Sequence, residues 1–249
     1  MLLLHGLGGS QRYWGGDYDV LARGGRLVVP DLLGFGSSPK PGSGYAPADH
    51  ADALAATLDW VGVEEPVVVG AHSLGCLIAL ALAERHPHRV SAIVGAGPPL
   101  YADETEARRR IARLGWLERQ LAVGGPAAER VCRLVCDHPR LAAVVGRLAR
   151  PRLPWAVVAD GFRHTWASYS ETFRAVILAA RGDRWVGAVG VPVTFLAGER
   201  DAVVDHRHLA ELGAAHPHVI VHTVAGADHD LPIATPTLML AELRGRSTT

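Results

Sequence analysis

The chain has too few cysteines to be built on disulfides. Its three, Cys76, Cys132 and Cys136, are odd in number and show no framework spacing, which points to free thiols and a reducing compartment. Net charge is also lacking, with 25 Lys and Arg against 25 Asp and Glu. Nothing global therefore suggests nucleic acid or an acidic membrane as a partner. No apolar run approaches a membrane span, and Met1-Leu2-Leu3-Leu4 is far shorter than a signal-peptide core; the expected location is cytoplasmic. Metal-ligand sets are missing too. His206 and His208 do not share a helix face, His218 and His222 alternate along a strand without an acidic companion, and Cys132, Cys136 and His138 offer only three ligands in an apolar setting. Neither metal nor cofactor is expected. The glycine-rich stretch Gly6-Leu7-Gly8-Gly9-Ser10 lacks the Lys-Ser/Thr ending of a phosphate loop, and the loop with Gly34 and Gly36 lacks the third glycine of a dinucleotide site.

What is present is a globular chain of 249 residues, 49% hydrophobic and 20% charged, long enough to bury a substantial core. Its organising stretch is Val67-Val68-Val69-Gly70-Ala71-His72-Ser73-Leu74-Gly75-Cys76, followed by an Ala/Leu run to Glu84. Three β-branched residues read as a buried strand and the run after Gly75 as a buried helix. Ser73 sits where one becomes the other, on a bend that strains its backbone and crowds Ala71 and Gly75, both small. A helix N-terminus behind a serine hydroxyl favours developing negative charge.

Around this stretch strands and helices alternate. Met1 to His5, Arg26 to Pro30, Val67 to Val69, Val90 to Val94, Val191 to Ala197 and His218 to Val224 read as strands, and Pro47 to Val61 as an amphipathic helix. The alternation implies an α/β protein with a mostly parallel sheet of about six strands and helices on both faces. It breaks between Pro98 and Gly187, where the pattern is helical throughout. Asp103 begins a capping sequence, Pro126 and Pro139 suit first helical turns, and a helix is expected from Thr165 to Ala180. This stretch holds 15 Arg against 9 Asp and Glu, a charge of +6, and leaves −6 on the remainder. It also holds Trp116, Trp155, Phe162, Trp166 and Tyr169, aromatic candidates for lining a site for a small hydrophobic substrate.

The stretch around Ser73 resembles the G-x-S-x-G elbow of the α/β-hydrolase family, with Ala71 in place of the first glycine. Asp31-Leu32-Leu33-Gly34-Phe35-Gly36-Ser37-Ser38 matches that family's D-x-x-G-x-G-x-S loop. The resemblance implies a catalytic triad in the chain order Ser73, Asp201, His229, the acid following the seventh family strand and the histidine the eighth. Asp205 is the reserve acid. It also implies an oxyanion hole from the backbone N–H groups of Leu7 and Leu74, and places a helical cap, residues 98–187, between the sixth and seventh strands of a core formed by 1–97 and 188–249. The family's first two strands have no counterpart. Arg26 to Pro30 would then be a bare sheet edge, and either the true start lies upstream or the edge pairs with another chain as a homodimer.

The implied activity is hydrolysis of an ester or thioester of a hydrophobic acid through an acyl-enzyme. Two alternatives stand beside it: carbon–carbon cleavage or another biosynthetic reaction on the same fold, and a ligand-binding protein with an idle triad.

Overall fold

Alternation along the strands decides which side chain reaches which face. The structure, a computed structural model, describes residues 1–115, 119–120, 126–149 and 153–247. Its sheet has five parallel strands: β1 (Leu2–Leu4), β2 (Val67–His72), β3 (Val90–Ala96), β4 (Val193–Gly198) and β5 (Val219–Val224), side by side in that order. Leu2, Leu4, Val69, Ala71, Ile93, Val193, Phe195 and Ala197 enter one core. Leu3, Val68, Val94, Ala96 and Leu196, one step out of phase, enter a second core on the opposite face. Strands buried on both sides are apolar at nearly every position, which is why β2 to β4 read as near-continuous runs, with His72 and Thr194 the buried polar exceptions.

Helices cover both faces. The first core takes α1 (Pro47–Trp60), with Ala51, Leu54, Ala55 and Leu58 turned inward, and α2 (Leu74–Arg85), buried from Leu74 to Ala83. The second is closed by Tyr18 and Leu21 of a 3-10 segment (Gly16–Gly24) and by Met239 and Leu243 of a C-terminal helix (Pro236–Ser247).

One expected strand is reduced to a single contact. Of Arg26 to Pro30 only Val28 pairs, in a parallel bridge to Leu2, with Leu3 N–H donating to the Val28 carbonyl at 2.9 Å. β1 has three residues, so there is little ladder for a longer neighbour to join. Of the six stretches expected as strands, five form the sheet and the sixth contributes a bridge.

Between β3 and β4 the described elements are helical: α3 (Glu104–Ile111), α4 (Pro126–Asp137), α5 (Pro139–Ala149), α6 (Trp155–Asp160), α7 (Trp166–Thr172) and α8 (Gly182–Ala188). The Asp103 carboxylate accepts the Glu106 N–H at 2.8 Å, capping α3, and Pro126 and Pro139 open α4 and α5. The helix expected from Thr165 to Ala180 starts as foreseen, capped by the Thr165 hydroxyl, but loosens into a π-helical turn over Phe173–Leu178. β4 leads to α9 (His206–Ala215), and β5 to α10 (Leu231–Ala234) and then the C-terminal helix, α11. Among the described residues no helix is long and apolar enough to cross a membrane.

Candidate active site

Ser73 lies between β2 and α2 with φ 53° and ψ −120°, a left-handed conformation that a residue with a side chain holds only under constraint. The constraint is visible. Ser73 N–H donates to the Ala96 carbonyl and Cys76 N–H to the Ser73 carbonyl, both at 2.9 Å. At Gly75 a Cβ would stand 2.6 Å from the Leu4 carbonyl oxygen and 2.8 Å from that of His5, so α2 starts hard against the end of β1 and only glycine fits. Ala71 is fully buried and paired in register with Leu4 and Gly95.

His229 follows β5 and Asp201 follows β4, and the parallel sheet brings both to the same edge as Ser73. His229 Nδ1 lies 2.8 Å from Asp201 Oδ2, and Nε2 lies 3.1 Å from Ser73 Oγ. An ionised carboxylate only accepts, so Nδ1 carries the proton and Nε2 faces the serine hydroxyl as acceptor. Asp201 is 3% exposed and its second oxygen accepts the Val203 N–H at 2.9 Å. Asp205 is elsewhere: it caps α9 and pairs with Arg110 at 2.9 Å.

Two supports escape a reading of the sequence. The His72 ring stacks on Tyr13 with centroids 4.4 Å apart, and its Nε2–H donates to the His229 carbonyl at 2.9 Å. Gly97, with φ 61°, has no room for a Cβ, which would lie 2.9 Å from His229 Nδ1 and 3.0 Å from Asp201 Oδ2. A glycine directly after a strand was the available signal for the second. Nothing local signals the first, because it depends on a contact 157 positions away.

Leu7 lies in the turn closed by Gly9 N–H to the Gly6 carbonyl at 3.0 Å, and Leu74 is the first residue of α2, where backbone N–H groups lack intrahelical partners. His5 locks this turn from beneath. It is fully buried, its Nε2 accepts the Leu32 N–H at 2.9 Å and its Nδ1–H donates to the Gly6 carbonyl at 2.8 Å. Burial lowers its pKa, keeping it neutral as both bonds require. The Asp31 carboxylate then ties the neighbouring loop, accepting from Gln11 and Ser37 N–H, each at 2.6 Å.

From above, the helical segment touches the same turn. The Gly161 carbonyl oxygen would lie 3.2 Å from a Cβ on Gly8, and buried Asp160 accepts from the Ser10 hydroxyl at 2.7 Å. Of the aromatic candidates, Tyr169 is the one placed beside the turn, its ring edge 3.9 Å from that same Gly8 position. Trp166 packs partly buried on the first core, Phe162 lies against Gly146 of α5, and Trp155 is 51% exposed. Trp116 lies outside the described residues. Cys76 is buried in α2, where desolvation raises its thiol pKa and leaves it unreactive. Among the described residues no group of three or more His, Cys, Asp or Glu could hold a metal ion.

A parallel sheet with a strained serine at a strand-to-helix bend, and acid and histidine on the next strand ends, defines a protein class with the means for acyl transfer. The chain belongs to the α/β hydrolase fold family, whose model matches residues 1–235. It is 29% identical over 259 residues to the probable lysophospholipase BODYGUARD 4 of Arabidopsis thaliana, covering 94% of this chain and 60% of the relative. Its fold is similar to that of E-2-(acetamidomethylene)succinate hydrolase, with TM-score 0.76 and 20% identity over 100% of this chain and 91% of the other. A thermophilic esterase from Thermogutta terrifontis gives TM-score 0.68 and 20% identity over 98% and 87%.

Proposed function

We propose that this chain hydrolyses an ester or thioester of a hydrophobic acid, with Ser73 as nucleophile, His229 as base and Asp201 as its orienting acid. The observation that carries the reading is the continuous relay from Asp201 Oδ2 through His229 to Ser73 Oγ, at 2.8 and 3.1 Å. In this reading His229 Nε2 takes the hydroxyl proton as Ser73 Oγ attacks the acyl carbon, and the imidazolium is stabilised by Asp201. The oxyanion is received by the N–H groups of Leu7 and Leu74, donors fixed before the substrate arrives. His229 returns the proton to the departing alkoxide or thiolate. Water, deprotonated by the same nitrogen, then releases the acid and restores Ser73.

Residues 98–187 act as a cap on a core of 1–97 and 188–249, with Tyr169 the aromatic residue best placed to meet the acyl group. The similarity to a probable lysophospholipase, and the fold shared with an esterase, support ester chemistry. The test is turnover of nitrophenyl esters of increasing chain length beside the Ser73→Ala variant. Hydrolysis that rises with chain length and vanishes in the variant is expected. Equal rates in the two proteins would refute the assignment.

A further inference from the structure

We propose that the outward face of α4 and α5 is a docking surface for a lipid bilayer carrying anionic headgroups. α5 packs in an unusual sense. Its small residues point inward: Ala143 is buried, and a Cβ on Gly146 would lie 3.0 Å from the Phe162 ring and 3.2 Å from Val158. Its large ones, Leu141, Val144, Val145 and Leu148, follow the i, i+3, i+4, i+7 spacing of one helix face and are 50% to 79% exposed. Leu134 of α4 and Trp155, at the start of α6, are exposed as well, at 60% and 51%. Scattered exposed aliphatics mean little, but six within one short segment mark an interaction surface.

Charge selects the occupant. Residues 126–155 hold six Arg (130, 133, 140, 147, 150, 152) against Glu129 and Asp137, a net charge of +4. Arg130, Arg133 and Arg140 are exposed. A second copy of the chain on a two-fold axis would bring this basic segment against itself. An apolar helix face with arginines at its flank and a tryptophan nearby instead suits the boundary between anionic headgroups and acyl chains. Whole-chain neutrality hides the feature, since the +6 of residues 98–187 is cancelled by −6 elsewhere, and the expectation of no membrane partner rested on that neutrality.

The test is co-sedimentation of the full chain with phosphatidylcholine vesicles and with vesicles containing about one-third phosphatidylglycerol. Binding is read without turnover, so its failure leaves the assignment of Ser73 untouched. Preferential binding to the anionic vesicles is expected, weakened roughly ten-fold or more by Leu141→Ser/Leu148→Ser and by Arg130→Gln/Arg140→Gln. These side chains are exposed, so the melting temperatures should hold. Brominated lipid should quench fluorescence in the parent protein more than in Trp155→Phe. Absence of binding to anionic vesicles, or binding that both double variants retain, overturns the proposal. So does a dimer dispersed by Leu141→Ser/Leu148→Ser in a chain that ignores vesicles, which would assign the face to a second copy.

Discussion

A loop histidine has no reason of its own to aim one ring nitrogen at an acid and the other at a hydroxyl; its neighbours impose the pose. Asp201 fixes the tautomer of His229, and Asp201→Asn should lower kcat by about 10⁴-fold with little loss of stability, a split that steady-state kinetics and a thermal melt would reveal together. His72 acts one step back, through the His229 carbonyl. Replacing it with Leu leaves that carbonyl without its donor and should cost about ten- to a hundred-fold in kcat with KM little changed. Gln, which can place an N–H near the same point, should recover much of the loss. If Leu and Gln behave alike, the hydrogen bond is not what positions His229. Ser73, Asp201 and His229 were legible because each ends a strand or follows one. His72 as a support was not, since its partner is distant in sequence and the contact exists only once β2 and the loop after β5 meet.

At the scale of elements, the glycines record where backbones touch. The start of α2 lies against β1 at Gly75, and Gly75→Ala would drive a methyl group into two carbonyl oxygens. Because backbone cannot yield as a side chain can, we expect a loss of about 3 kcal/mol in chemical denaturation, together with slowed acylation as Ser73 shifts. The sheet is legible as apolar and β-branched runs, but the run from Arg26 to Pro30 carries no information about how much ladder its neighbour offers. With β1 only three residues long, it contributes a single bridge. The helix after Thr165 shows a similar limit. Its cap is local and visible in sequence, whereas its π-helical turn gives no such local signal. Asp160 joins the helical segment to the glycine-rich turn, with Ser10 at 2.7 Å, Arg163 at 3.5 Å and Arg12 at 3.6 Å. Asp160→Ala leaves the Ser10 hydroxyl without its acceptor and should cost about 1–3 kcal/mol in stability, measurable as a lower denaturation midpoint.

Across the whole molecule, buried histidines tie stability to pH. His50 is fully buried beside Thr172, and desolvation pushes its pKa down to about 4. An unfolded imidazole titrates near 6.5, so between these values the unfolded chain binds a proton that the folded chain refuses. Stability should therefore fall as pH drops from about 6.5 towards 4, by up to about 3 kcal/mol from this group. His5, also lowered by burial, acts in the same direction. Denaturation midpoints at the two ends of that window should converge in His50→Gln relative to the parent, and an unchanged acid loss would assign it to other groups. The same molecule joins two surfaces through α6, whose Val158 backs Gly146 of α5 while its last residue, Asp160, and Gly161 after it meet the glycine-rich turn. The central claim remains that Ser73 is an activated nucleophile. It is tested most directly by the intact mass of the protein after incubation with a small fluorophosphonate, beside Ser73→Ala. The account predicts a single adduct in the parent and none in the variant; a folded parent protein that stays unmodified, or a variant that is labelled equally, would contradict it.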